Sequence, residues 1–378
     1  MSSYLQSVIC EEVERAKFLK NQIVFPLIYP ELSGLANRCV SILDVQIISL
    51  ENLSKNLENY VEKSAWRLVR AAHRKIEMTE QWGIPPLYLQ TKEIGLLNKL
   101  IFDICKEINL PLEHPSVACF STQYYYTATF VDVIFLPLSE SAFLLHLPDI
   151  YHEMGHYVSK NKNQTKLQMI GNAYLEVCDI VTEYFVDYLL KKQRERGPEA
   201  TLLKIQNFRF NWQKNWIEEV FCDLFAVFLV GPAYAWSHIH LVTKNNPNIY
   251  EVSLFGNQEH PSDEARMQIL LIALKILGYD DECSKIKKEW NKIRNQWGEP
   301  SLEFNYAYPY ELLERITHLF FKSIKSSPFK IMSSSNGEKG SVRKLLNDAW
   351  ENFWNLNPKE FRQWEIEKIG ELNKGYFG

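Results

Sequence analysis

His152-Glu153-Met154-Gly155-His156 pairs two histidines at a spacing of four with a glutamate between them, and these are the residues of the chain best suited to metal chemistry. Positions i and i+4 lie on one face of an α-helix. Both imidazoles can therefore reach one Zn²⁺ at about 2.0–2.1 Å. Glu153 follows the first histidine and can lean over the position that the metal leaves open, where it could take a proton from a bound water. The spacing works only on a helix. The preceding run 142–151 is apolar enough to be core, and Pro148 suits the first turn of a ligand helix or a kink in a longer one.

A catalytic zinc takes a third protein ligand and keeps one position open. Glu219 and Asp223 are also four apart, in the apolar stretch 216–226. Glu219 would ligate, and Asp223 would accept the free ring N–H of a ligating histidine and fix its tautomer. A carboxylate pair on a face built from Trp216, Val220 and Ala226 is expensive to bury without such partners. Glu218 is adjacent to Glu219, so at least one of the two points elsewhere. Glu183 and Asp187 repeat the same spacing in the apolar helical run 174–190, where Glu176 and Asp179 are further acids. Spacing alone leaves Glu183 and Glu219 both open.

H-E-x-x-H followed by E-x-x-x-D resembles the gluzincin, or thermolysin-like, zinc metallopeptidases. Glu219 to Ala226, then Gly231-Pro232-Ala233-Tyr234, is similar to the third-ligand helix of that group. His260-Pro261, followed five residues later by Arg266, is similar to the H-P-x-x-x-x-R segment that comes after it in several members. The resemblance spans residues 128–275 at most. His156 and Glu219 are further apart than in compact members, which requires an extra helical pair between them. The resemblance implies Glu219 as the third ligand and Glu153 as general base. It also implies His260 as a catalytic donor to the oxyanion, with Arg266 organising it, and an edge strand within 127–135 that pairs with extended peptide.

Composition bounds the rest. Hydrophobic residues make up 46% of 378 and charged residues 23%, which suits a globular chain. The net charge of −4, with no basic stripe, gives no reason to expect nucleic acid. The 7 cysteines are odd in number and lack a C-x-x-C pair, so they read as reduced thiols of a cytoplasmic protein. No leader is read at the N-terminus, and no apolar run reaches the roughly 18 residues of a membrane span.

The expected fold is α+β and mainly α-helical: a zincin-like core with a small sheet and the H-E-x-x-H helix, flanked by extra N- and C-terminal helices. Residues 1–112 form an N-terminal helical region, with Leu5, Ile9, Val13 and Ala16 at helical spacing. The core covers 113–323. Its β-branched and aromatic run 124–137 reads as one or two strands. Later helices are expected over roughly 140–160, 171–193, 200–231, 262–277, 280–295 and 310–323, with Gly231-Pro232 as a strong stop. Residues 324–340 read as a loop or linker, and 341–378 as C-terminal helices. His238 and His240 read as a surface pair after a helix, and His146 as core.

The sequence thus points to hydrolysis of a peptide or protein substrate by metal-activated water. Two alternatives stay open: a zinc amidase or deformylase-like enzyme with a small substrate, and a metal-binding regulatory module without activity.

Overall fold

The computed structural model describes residues 3–23, 29–89, 91–119, 124–195, 198–245, 248–333 and 341–375. The described chain is mainly helical and carries one three-stranded sheet. It divides into two compact units: Met1–Phe102 with Glu113–Ser141, and Asp103–Leu112 with Ala142–Gly378. The break anticipated at 112/113 is therefore differently placed, because 103–112 pack with the second unit and 113–141 with the first.

The first unit contains α1 (Ser3–Ile23), α2 (Ser33–Lys55), α3 (Glu62–Met78), α4 (Ile84–Tyr88) and most of α5 (Lys92–Glu107). In α1 the buried apolar residues are Leu5, Ile9, Val13, Ala16, Leu19 and Ile23, a stripe at spacings of three and four that faces α2 and α3. The aromatic run forms two strands rather than one. Strands β1 (Ser116–Ala118), β2 (Tyr126–Ala128) and β3 (Val133–Phe135) are ordered β1-β3-β2, with β3 parallel to β1 and antiparallel to β2. Asp132, at φ 55°, closes the turn into β3, a left-handed position that Asp tolerates. The Asn98 amide donates to the Val117 carbonyl and accepts from its N–H, both at 2.9 Å, so it pairs with β1 as a further strand would.

The second unit holds α6 (Asp149–Lys160), α7 (Gln168–Arg194), α8 (Glu199–Asn211), α9 (Ile217–Val230), α10 (Pro232–Asn245) and α11 (Asp263–Ile276). It continues with α12 (Asp280–Trp297), α13 (Leu302–Ala307), α14 (Tyr310–Lys325), α15 (Val342–Asn355) and α16 (Pro358–Gly375). Its centre is α9, buried at every residue but Glu218. A helix apolar on all sides belongs inside a bundle, and α6, α10, α11, α14 and α15 pack around it. The single helix anticipated over 200–231 is α8 and α9 joined through a π turn at Trp212–Trp216.

Gly231, at φ 74°, ends α9, and Pro232 begins α10 at once. The expected stop is real, but a helix that the sequence reading missed starts on it. His238 is buried within α10, so the anticipated surface pair is not one. Arg343 and Glu107, both nearly buried, pair at 2.7 Å and fix the start of α15, and Arg343 also donates to the Lys330 carbonyl. Of the expected linker, 326–333 is non-helical and 334–340 lies outside the described residues. Among the described residues no helix is long and apolar enough to cross a membrane.

Candidate metal centre

The site lies within the second unit, where α6 packs along α9. Gly155 permits the approach: a Cβ at that position would stand 2.7 Å from the Cα of Cys222. The close contact turns His152 and His156 of α6 toward Glu218, Glu219 and Asp223 of α9. Tyr234 reaches in from α10 across the Gly231-Pro232 corner. His260 stands just before α11 and Arg266 on it.

Glu219 faces both histidines. Its Oε2 lies 3.4 Å from His152 Nε2 and its Oε1 lies 3.5 Å from His156 Nε2. His260 Nε2 is 3.5 Å from the same Oε2. Each of the two histidines is held from behind by a second carboxylate. Asp223 Oδ1 is 3.0 Å from His152 Nδ1, and Glu218 Oε1 is 3.3 Å from His156 Nδ1. Asp223, fully buried, also accepts from Arg266 Nε at 2.8 Å, from Arg266 Nη2 at 2.7 Å and from the Tyr234 hydroxyl at 2.5 Å. A buried carboxylate is tolerable when it is paired and hydrogen-bonded in this way.

Burial opposes the charged form of His152, yet Asp223 and Glu219 outweigh it and raise its pKa to about 10. Burial likewise opposes the Glu219 carboxylate, but His152, His156 and His260 bring it down to about 2. Arg266 overcomes the same penalty for Asp223 and holds its carboxyl well below the usual range. The site thus demands positive charge between Glu219 and the two imidazoles, which protons or a metal ion can supply. Glu219 Oε2 is buried with no hydrogen-bond partner, although two ring nitrogens stand 3.4 and 3.5 Å away. The edge of a tetrahedron with zinc-like bonds of about 2.0–2.1 Å is about 3.3–3.4 Å, so these separations suit ligands of a shared ion better than hydrogen-bonded pairs.

His152, His156 and Cys222 form a buried group that could hold a metal ion, their donor atoms lying within 4.8 Å of one another. Cys222 is the α9 residue of that group. It lies beneath Gly155, and without a metal, burial together with the neighbouring carboxylates pushes its thiol well above the usual range.

The structure brings together His152, Glu153, His156, Glu219, Asp223, His260 and Arg266. Glu153 is buried on α6. Glu183 and Asp187 are instead exposed on α7. One expected role is corrected: the Arg266 side chain is bonded to Asp223 and Tyr234, so it organises Asp223 and through it His152, rather than His260. Two participants were missed. Glu218 had been weighed only as one of two adjacent acids of which at least one points elsewhere, and Tyr234 had been noticed only as part of a motif. The signal for Glu218 was its place one residue before Glu219, and for Tyr234 a polar aromatic just past a helix corner. No protein-family model, curated protein or solved structure matches the chain.

Proposed function

We propose that this chain is a zinc metallohydrolase of gluzincin type that cleaves peptide bonds. His152, His156 and Glu219 are the residues that would hold the metal, with Asp223 and Glu218 fixing the two rings from behind. Bound there, zinc would supply a Lewis acid and lower the pKa of water toward neutrality. Glu153 is assigned to proton movement: it takes a proton from the attacking water and returns it to the leaving nitrogen. Tyr234 and Arg266 also donate to Asp223 and hold its carboxylate where it meets His152.

One observation carries this reading. A buried carboxylate oxygen without a hydrogen-bond partner sits at ligand-like distance from a histidine of an H-E-x-x-H helix. A site that only held metal would have no use for Glu153, which is buried on α6 and contributes a negative charge near His156. Four-ligand structural zinc also usually draws on several Cys, and Cys222 alone is at hand.

Glu153→Gln tests the assignment, because it keeps the size and helix propensity of the side chain and removes the base. In a broad library of fluorogenic peptides, turnover by the variant should fall by about 10²–10⁴-fold with metal content unchanged. Equal turnover would end the mechanism. Absence of turnover by the unaltered protein across the library would end the peptidase reading.

A further inference from the structure

The three-ligand reading leaves one protein group unaccounted for. His260 Nε2 stands 3.5 Å from Glu219 Oε2, against 3.4 Å for His152 Nε2 on the same oxygen. By distance the two rings are equivalent partners of that atom, and the atom itself has no hydrogen bond. A donor reserved for a substrate oxyanion would instead be set back from the ligands by the width of the oxygen it serves, at about 2.7–3.1 Å from that oxygen.

The His260 side chain is 57% exposed, but its backbone is firmly anchored on both sides. The Gln258 carbonyl accepts from the Asn215 amide and from the Trp216 indole, both at 3.0 Å, and the Gln258 N–H donates to Asn211 at 3.0 Å. Two residues past His260, the Ser262 N–H donates to the buried Tyr308 hydroxyl at 3.2 Å. Pro261, buried between these anchors, fixes the intervening backbone. The flank before His260 is fastened to the end of α8 and to the π turn that leads into α9, and the flank after it to Tyr308 just past α13, so the ring is presented to the Glu219 carboxylate by an anchored backbone.

We infer that His260 is a fourth protein ligand of the metal in the resting site. The inference rests on the metal-site reading above and adds to it that the resting sphere is closed by protein. Zinc can expand to five ligands, so water and substrate enter either beside His260 or by displacing its ring. A closed sphere also means that His260 slows metal loss in the absence of substrate, a role that an oxyanion donor would not have.

The test uses the full chain with zinc and with Co²⁺, whose visible absorption reports coordination number. Zinc affinity is measured by competition with a chromophoric chelator for the unaltered protein, His260→Ala, His260→Gln and Glu219→Gln. Loss of His260 should weaken zinc by at least about tenfold, the lower edge of what loss of an outer partner costs, and should alter the Co²⁺ bands. Circular dichroism on both His260 variants separates a ligand effect from misfolding, and the inference requires the effect in whichever variant keeps the native spectrum. Unchanged affinity and bands in a folded His260 variant, with Glu219→Gln still weakened, would overturn the fourth-ligand role and leave the three-ligand site standing. Failure of the unaltered protein to bind either metal would overturn the underlying reading as well.

Discussion

Asp223→Asn should destabilise the metal-free protein strongly, and the size of the effect follows from the bonds around one atom pair. Asp223 accepts from four donors: Arg266 Nε and Nη2, the Tyr234 hydroxyl and His152 Nδ1. An asparagine keeps one acceptor oxygen. Placed at Oδ1, that oxygen leaves an NH₂ facing Arg266 Nε, donor against donor. One charge-assisted bond is lost, and the guanidinium, 12% exposed, is left without its counter-charge. Breaking a buried pair from one side costs about 3–5 kcal/mol. For a unit the size of the second, each kcal/mol lowers the melting temperature by about 2–4 °C, so a drop of about 6–20 °C is expected. Thermal unfolding by circular dichroism near pH 7 with a chelator present measures it. At that pH the effect is fully expressed, because the folded carboxyl is held below its ordinary value and its stabilisation vanishes only as the pH falls through that lowered pKa. Asp187→Asn, at an exposed position on α7, is the control and should change stability by less than about 0.5 kcal/mol. A drop under about 2 °C for Asp223→Asn would refute the argument that this carboxylate is the electrostatic anchor of the site.

Gly155→Ala should destabilise even though helix propensity favours Ala by about 1 kcal/mol, since its Cβ would meet the Cα of Cys222 at 2.7 Å; a melting temperature raised by the substitution would contradict the close packing of α6 on α9. His146 should make stability fall on acidification. Its Nε2 accepts from Lys244 Nζ at 2.8 Å, and burial, Lys244 and the adjacent His240 lower its pKa to about 4. Unfolded, it titrates near 6.5, so the unfolded chain binds the extra proton and stability is lost as the pH falls from about 6.5 to about 4. His146→Gln should lose less melting temperature than the unaltered protein between pH 7 and pH 4.5, and equal losses would count against a neutral buried ring.

The helix under His152 and His156 was legible because the motif itself has helical spacing and an apolar run leads into it. Glu219 and Asp223 were legible as a pair for the same reason, but choosing them over Glu183 and Asp187 was not a matter of spacing. Burial separates the two pairs, and it depends on α9 being enclosed on all sides while one face of α7 meets solvent. Arg266 was attached to the wrong partner because sequence proximity to His260 says nothing about which groups meet across helices. Tyr234 was illegible because Gly231-Pro232 reads as an end, whereas Pro at a first helical position also begins a helix. The grouping of residues 113–141 with the N-terminal helices depends on long-range packing, such as Asn98 on Val117, that local pattern does not encode.

Zinc stoichiometry by elemental analysis after reconstitution and removal of excess metal tests the central claim most directly. The unaltered protein should hold close to one zinc per chain. His152→Ala and Glu219→Gln should lose most of it, and Glu183→Gln should lose none. Full zinc retention by Glu219→Gln, or its loss in Glu183→Gln, would contradict the site described here.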